Sequence, residues 1–508
     1  MQLKGKKILV TGGLGFIGAH LVKRLLEEEA SVTVVARRIP ADRDIAGLVK
    51  KINLIIGDLS DALVMAKALS GIELVYHLAA SAPFQQHYSE ERSIVDLEIM
   101  LALVKESSKA NVKKIIFLSG HVVYGIPQEL PISEEHQTDP VNVYGAGKLS
   151  AEVYLKQSCN LYGIKFVVIR ASSCYGPGQI SKGVIPNFIS TALEGGILYT
   201  SKVKRDYIYI GDLVSALISA SSAENRIYNI GGGKSYSIAE VAVTITTLIG
   251  KGRVEIVDSL DLLSDNVLDI SSARNKQGFS PQVSLLDGLK KHIQWIQQKK
   301  SVPFFYLDFD GTLINPFTKL YALHKDLCTE FSVQAYPEDK FIQYKKSCIH
   351  DREIIKSLLS AEKLELYLHR KNLLIESFEY LQYDSLFPDS VNVIKKLREK
   401  GQVVLVTRRK EIEAVHAQLE KLEIDHLFDG VLVVGAAGGS KAQLIRDNVS
   451  FINAGSVIIG DTEDDIAAGK ELGIKTIAVA SGIRGIDFLR KLQPDEIVKD
   501  ISEVPGLL

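Results

Sequence analysis

A chain of 508 residues that is 46% hydrophobic carries too much apolar material for one core, and its length suits about two to four domains. A net charge of −1 leaves no basic excess for gripping a phosphate backbone, which argues against a nucleic-acid partner. Cys159, Cys174, Cys328 and Cys348 stand apart, without CxxC or metal-ligand spacing, so a disulfide scaffold or zinc site is not expected. No run reaches the ~18 apolar residues of a membrane span, and MQLKGKKILVTGG enters a strand without the apolar core of a signal peptide. The expectation is a soluble, cytoplasmic protein acting on small molecules.

Short β-branched runs alternate with amphipathic stretches from the start: KILVTG, SVTVVA, NLIIGD, LVYHLAA, KIIFLSG and FVVIRAS read as strands. Between them, 16–29 and 142–162 have helical spacing, the first with Ile17, Leu21 and Leu25 on one face. A helix at 284–298 closes this part, and QQKKSVP reads as a short linker. The pattern then restarts with FFYLDFD, QVVLVT, GVLVVG, SVIIGD and KTIAVA. Residues 315–386, rich in Leu, Lys, Glu and Tyr, are too long for a plain connection and read as a helical insertion. The fold class expected is α/β: two doubly wound parallel-sheet domains in series, over 1–298 and 303–508.

The first strand ends in TGGLGFIG. Gly12 permits the tight turn, Gly15 lets the backbone approach a pyrophosphate, and Gly18 allows close packing of a helix whose N-terminus faces the anion. Phe16 and Ile17 begin that helix and join the expected cofactor-binding set. An NAD site usually places an acidic residue after the second strand, whereas this chain has Ala36-Arg37-Arg38, which suits a 2′-phosphate. NADP and NAD both stay open. Downstream, Tyr144 and Lys148 are four apart on a helix, so they share a face and the ammonium can lower the phenol's pKa. A phenolate there can take a hydroxyl proton during hydride transfer.

Residues 1–298 resemble the extended short-chain dehydrogenase/reductase family of nucleotide-sugar epimerases and dehydratases. The likeness runs through TGGLGFIG, GDLSD, YHLAA, VVYG, PVNVYGAGK, RASSCYGPGQ, RDYIYIGDLV and YNIGGG in order. It implies Tyr144 and Lys148 as catalytic residues, Lys148 and Asp58 as cofactor contacts, Arg205 against a nucleotide diphosphate, and a homodimer. One position departs from the pattern. The family places Ser or Thr four residues before the Tyr of VYG to polarise the substrate oxygen, and here that position is Gly120, with Ser119 beside it. Either Ser119 reaches in, another group substitutes, or the site is slow or specialised.

In the second half, Asp308 and Asp310 flank Phe309 at a strand end and lead into Gly311-Thr312. Two converging carboxylates repel unless a cation relieves them, and Mg²⁺ prefers oxygen ligands. GDTEDD at 460–465 supplies further carboxylates, Thr407 ends another apolar strand, and Lys441 can neutralise phosphate. This set resembles the haloacid dehalogenase-like hydrolase superfamily over residues 303–508, with its four motifs in order. The resemblance implies Asp308 as a nucleophile forming an aspartyl-phosphate, Asp310 as general acid/base, and Thr407 and Lys441 as phosphate ligands. It also implies a metal site drawing on Asp308, Asp310, Asp461 and Asp465, and a cap formed by the helical insertion.

The whole reads as an NAD(P)-dependent epimerase, dehydratase or reductase of nucleotide sugars fused to a Mg²⁺-dependent phosphatase. Two other readings of the first half stay open: a simple carbonyl reductase, and a non-catalytic dinucleotide sensor or scaffold.

Overall fold

The computed structural model describes residues 3–37, 46–80, 90–179, 183–257, 264–435, 438–449, 452–453 and 455–508. The described residues divide into two compact units that meet in sequence at Gln297 and Gln298. Arg38 lies outside the described residues.

In the first unit, seven strands form one parallel sheet: β1 (Lys7–Thr11), β2 (Ser31–Ala36), β3 (Asn53–Ile56), β4 (Leu74–His77), β5 (Lys114–Gly120), β6 (Lys165–Ala171) and β7 (Arg226–Ile230). Their order is β7-β6-β5-β4-β1-β2-β3. The runs of the central strands are buried on both faces because helices cover both, while the edge strand β3 is largely exposed. Within β1, Ile8 and Val10 enter one apolar layer and Leu9 the opposite one, as the two-residue period of a strand requires. A smaller three-stranded sheet pairs Lys204–Tyr209 in parallel with Ser173–Tyr175 and antiparallel with Ser235–Ser237.

The second unit repeats the plan with six parallel strands: β8 (Phe304–Leu307), β9 (Gln402–Arg408), β10 (Gly430–Val434), β11 (Val457–Gly460), β12 (Lys475–Val479) and β13 (Glu496–Val498). Their order is β10-β9-β8-β11-β12-β13. Phe305 and Leu307 pack in one layer, Phe304 and Tyr306 in the other. The expected insertion consists of five helices between Phe317 and Leu381, and a two-residue antiparallel pair, Ile314–Asn315 with Ser385–Leu386, closes its base.

Three expectations on local structure need correction. The helix after TGGLG ends at Glu27, because Glu29 takes a left-handed φ of 58° that turns the chain into β2. Residues 297–301 are not a linker: the helix Leu285–Ser301 runs through them, with Lys299 and Lys300 in the last turn where the helix dipole favours cations. Strands β7 and β13 went unread, the second because three residues carry too little periodicity. Among the described residues no helix is long and apolar enough to cross a membrane.

Candidate active sites

Strand order decides where each unit can hold a ligand. In an open parallel sheet the connections from two adjacent central strands leave in opposite directions, which opens a crevice at their carboxyl ends. In the first sheet that switch point lies between β1 and β4, and in the second between β8 and β11.

At the first switch point the chain leaves β1 through Gly12, whose φ of +68° belongs to the left-handed region. A Cβ at Gly12 would lie 2.9 Å from the Ala79 amide nitrogen, and one at Gly18 only 2.1 Å from the Gly12 carbonyl oxygen. Both approaches demand glycine. They bring the N-terminus of the helix Phe16–Glu27, capped by no side chain, to the strand ends, where its free amides can face an anion. Thr11 Oγ1 lies 2.7 Å from His77 Nδ1 and accepts from the Ala79 amide at 3.2 Å, tying the ends of β1 and β4 together. Gly15 caps the helix, Arg37 follows β2 and is exposed, and Asp58 follows β3. Asp58 accepts from the Ser60 amide at 2.9 Å and the Ser60 hydroxyl at 2.8 Å. The Ser60 amide, with Arg37 also near, holds its carboxyl below the usual range.

Phe16, Ile17, Tyr144, Lys148 and Arg205 line one cavity of about 860 Å³. Tyr144 and Lys148 sit one turn apart on the helix Val143–Tyr162, which starts where the Asn142 side chain accepts from the Gly145 amide. Lys148 donates to the Leu118 carbonyl at 3.1 Å, and its ammonium stands 5.9 Å from the centre of the Tyr144 ring. Burial pulls the Lys148 amine down to about 8. Arg205 donates to the Ser264 carbonyl at 3.1 Å from the far wall. Ser119 lines the cavity, but its hydroxyl is already engaged. Its hydroxyl donates to Glu152, which Arg170 grips at 2.6 Å in a buried ion pair. Position 120 therefore offers no hydroxyl, and its neighbour's is committed elsewhere.

At the second switch point, Asp308 follows β8 and Asp461 follows β11, with Asp465 in the first turn of the helix Glu463–Leu472. One carboxylate oxygen from each lies within 4.8 Å of the others. Lys441 bridges two of them, at 2.5 Å to Asp308 and 2.7 Å to Asp465. Burial, against the opposing pull of Lys441, pushes the Asp308 carboxyl up to about 7, and burial with the Asp308 and Asp465 charges raises Asp461 well above its ordinary value. Burial disfavours the Lys441 ammonium, but Asp308 and Asp465 outweigh it and raise its pKa. Three buried carboxylates against one ammonium are short of positive charge, and oxygen donors at this separation fit Mg²⁺. Thr407, at the end of β9, has a buried hydroxyl with no hydrogen-bond partner among the described residues. A Cβ on Gly311 would fall 2.1 Å from an Asp461 oxygen, so the turn after the first aspartates needs glycine at its φ of +85°.

Asp310, also expected in the metal set, is held differently. Its carboxylate is outside the three-oxygen cluster and is forked by Arg409, at 2.6 Å to each oxygen, with Lys319 at 3.3 Å. Lys319 and Arg409 also reach the fully buried Asp384, at 2.7 and 3.5 Å, which accepts from Gln418 at 2.8 Å. Burial opposes the Asp310 charge, but Arg409 and Lys319 hold its carboxyl below the usual range. Sequence reading missed Lys319, Asp384, Arg409 and Gln418. The one available signal was Arg409 two residues after Thr407.

Comparison with known proteins matches each half separately. The model of the NAD dependent epimerase/dehydratase family matches residues 8–231, and that of haloacid dehalogenase-like hydrolases residues 306–479. A protein of Methanocaldococcus jannaschii is 32% identical over 304 residues, 57% of this chain and 98% of its own length. The chain belongs to the NAD-dependent epimerase/dehydratase family. Solved structures agree for this epimerase/dehydratase unit. UDP-glucose 4-epimerase of Thermotoga maritima, solved with UDP-glucose, is 30% identical with a TM-score of 0.52, covering 57% of this chain and 99% of its own. UDP-glucuronic acid 4-epimerase of Bacillus cereus, in complex with UDP-glucuronic acid and NAD, is 27% identical with a TM-score of 0.53 and the same coverage. The second unit is a haloacid dehalogenase-like hydrolase domain by its family match.

Proposed function

We propose that this chain is a bifunctional enzyme, modifying a nucleotide sugar with NAD in its first unit and hydrolysing a phosphate monoester with Mg²⁺ in its second. For the first unit the supporting observation is that Tyr144, Lys148 and Arg205 line one cavity, which Phe16 and Ile17 at the glycine turn also line. Gly12, Gly15, Phe16, Ile17 and Gly18 would hold the dinucleotide, with Asp58 and Lys148 as further contacts. The Bacillus cereus neighbour was solved with NAD, which favours NAD over NADP here. Bound there, the nicotinamide supplies hydride acceptance and return. Tyr144 takes the proton of the sugar hydroxyl, the Lys148 ammonium stabilises the phenolate, and Arg205 binds the diphosphate.

In the second unit the three-carboxylate cluster with Lys441 carries the reading. Asp308, Asp461 and Asp465 would hold Mg²⁺, which offsets the charge of phosphate and carboxylates. Asp308 attacks phosphorus to give an aspartyl-phosphate, while Thr407 and Lys441 hold the phosphoryl oxygens. Asp310 has the acid/base role toward the leaving oxygen and then water, which requires it to leave the grip of Arg409 and Lys319 that holds it ionised. The five-helix insertion acts as the cap that excludes solvent and selects the ester.

The test is turnover by the whole chain. UDP-glucose with NAD, followed by NMR, should yield an epimer or a keto sugar, and p-nitrophenyl phosphate should be hydrolysed with Mg²⁺ and lose at least ~10²-fold in rate in EDTA. Reduction of small ketones with no effect of any nucleotide sugar would favour the carbonyl reductase instead.

A further inference from the structure

The family pattern asks for a hydroxyl at the end of β5, and this chain supplies none at position 120. Gly120 is extended, with φ −154° and ψ 163°, and a Cβ there would meet nothing nearer than 3.7 Å, the Ala171 oxygen and the Val122 side chain. A serine would thus fit without strain, and its absence leaves an opening in the cavity wall. Of the neighbouring hydroxyls, that of Ser119 is bound to the buried Glu152–Arg170 pair, that of Ser172 is buried near the Asp206 carboxylate with no hydrogen-bond partner among the described residues, and Ser173 lies in the small sheet beside Tyr207. Val122 is apolar.

The next polar side chain is His121, the first residue of the short turn His121–Tyr124, and it lines the same cavity as Tyr144, Lys148 and Arg205. Its Nδ1 lies 3.3 Å from the Ala171 carbonyl oxygen. A carbonyl only accepts, so the ring proton sits on Nδ1 and Nε2 presents a lone pair. Burial first, and then the Arg205 guanidinium, pull the imidazole down to about 4, so it is neutral in the working range.

We infer that His121, through Nε2, contacts the sugar of the nucleotide-sugar substrate and takes over the binding part of the missing hydroxyl at position 120. The inference rests on the nucleotide-sugar reading of this cavity. Its chemistry differs from that of serine. A serine hydroxyl can accept from a sugar alcohol or donate to a ketone, whereas a neutral imidazole with its proton on Nδ1 can only accept at Nε2. The site therefore holds the hydroxyl form of the sugar in preference to the keto form.

The experiment uses the full chain loaded with NAD, with UDP-glucose and UDP as probes, and compares His121→Ala, His121→Gln and Tyr144→Phe. His121→Ala should raise KM for UDP-glucose about 10-fold, the order of one lost hydrogen bond, and leave UDP affinity unchanged. His121→Gln, which keeps an acceptor oxygen, should stay within about 3-fold of the native protein. Adding Gly120→Ser to His121→Ala should restore most of the loss, which a merely structural role would not allow. Native KM in His121→Ala, a parallel loss of UDP affinity, or a Gln variant as weak as the Ala variant would overturn the inference while Tyr144→Phe stays inactive. A fully active Tyr144→Phe would instead remove the reading beneath it, and the inference with it.

Discussion

The two candidate sites occupy the same topological position and solve opposite electrostatic problems. Between β1 and β4 the first opens on a cavity of about 860 Å³ with one deeply buried ammonium, Lys148, whose charge is disfavoured. Between β8 and β11 the second packs three carboxylates and one ammonium so closely that the anions are disfavoured. A doubly wound sheet fixes where a ligand goes, and the side chains at the strand ends fix which charge the ligand must bring. The first site can work by adjusting a single phenol. The second has carboxylates in excess of its one ammonium, Lys441, and so suits a cation.

The largest effect that would sharpen this contrast lies in the second unit. Arg409→Ala leaves Asp310 and Asp384 to share Lys319 in a buried pocket, and an uncompensated buried charge costs about 3–5 kcal/mol. Denaturant unfolding should show that loss in the second unit with the first unchanged. A loss below about 1 kcal/mol would mean the network is hydrated and the contrast overstated.

A smaller effect separates the sites by pH. Lys148 has a folded pKa pulled down to about 8, below its unfolded value, so the unfolded chain binds more protons between them. This group's stability penalty is complete below pH 8 and fades as pH rises toward the unfolded pKa. Over the same range the ammonium beside Tyr144 is lost, so kcat/KM of the first reaction should fall above pH 8, while Lys148→Arg keeps its charge and flattens that limb. An unchanged limb in Lys148→Arg would assign it to another group. The smallest effect is at the cofactor edge: Arg37→Ala should leave NAD affinity within about 3-fold, since Arg37 is exposed. A tenfold gain in discrimination against NADP would show that Arg37 had been accepting a 2′-phosphate.

The legible parts of the sequence were those fixed by local backbone need. Gly12 and Gly18 announce a turn that tolerates no Cβ, and Asp308 and Asp461 follow apolar strands, so both switch points could be found from pattern alone. What stayed hidden depends on contacts made only by the fold. Asp310 read as a metal ligand because it stands two residues from Asp308, yet its carboxylate meets Arg409 from 99 residues away. Ser119 read as a candidate hydroxyl because of its place beside Gly120, and only the folded chain turns it toward Glu152, 33 residues on. The helix through 297–301 was hidden by charges that look like a linker and act as the favourable last turn of a helix.

The central claim is that two independent chemistries share one chain, and crossing two substitutions tests it most directly. In the full-length protein, Asp308→Asn should lower p-nitrophenyl phosphate hydrolysis by on the order of 10³-fold or more and leave UDP-sugar turnover intact, and Tyr144→Phe should do the reverse. UDP-sugar turnover that survives Tyr144→Phe, or phosphatase activity that survives Asp308→Asn, would contradict the account for that half.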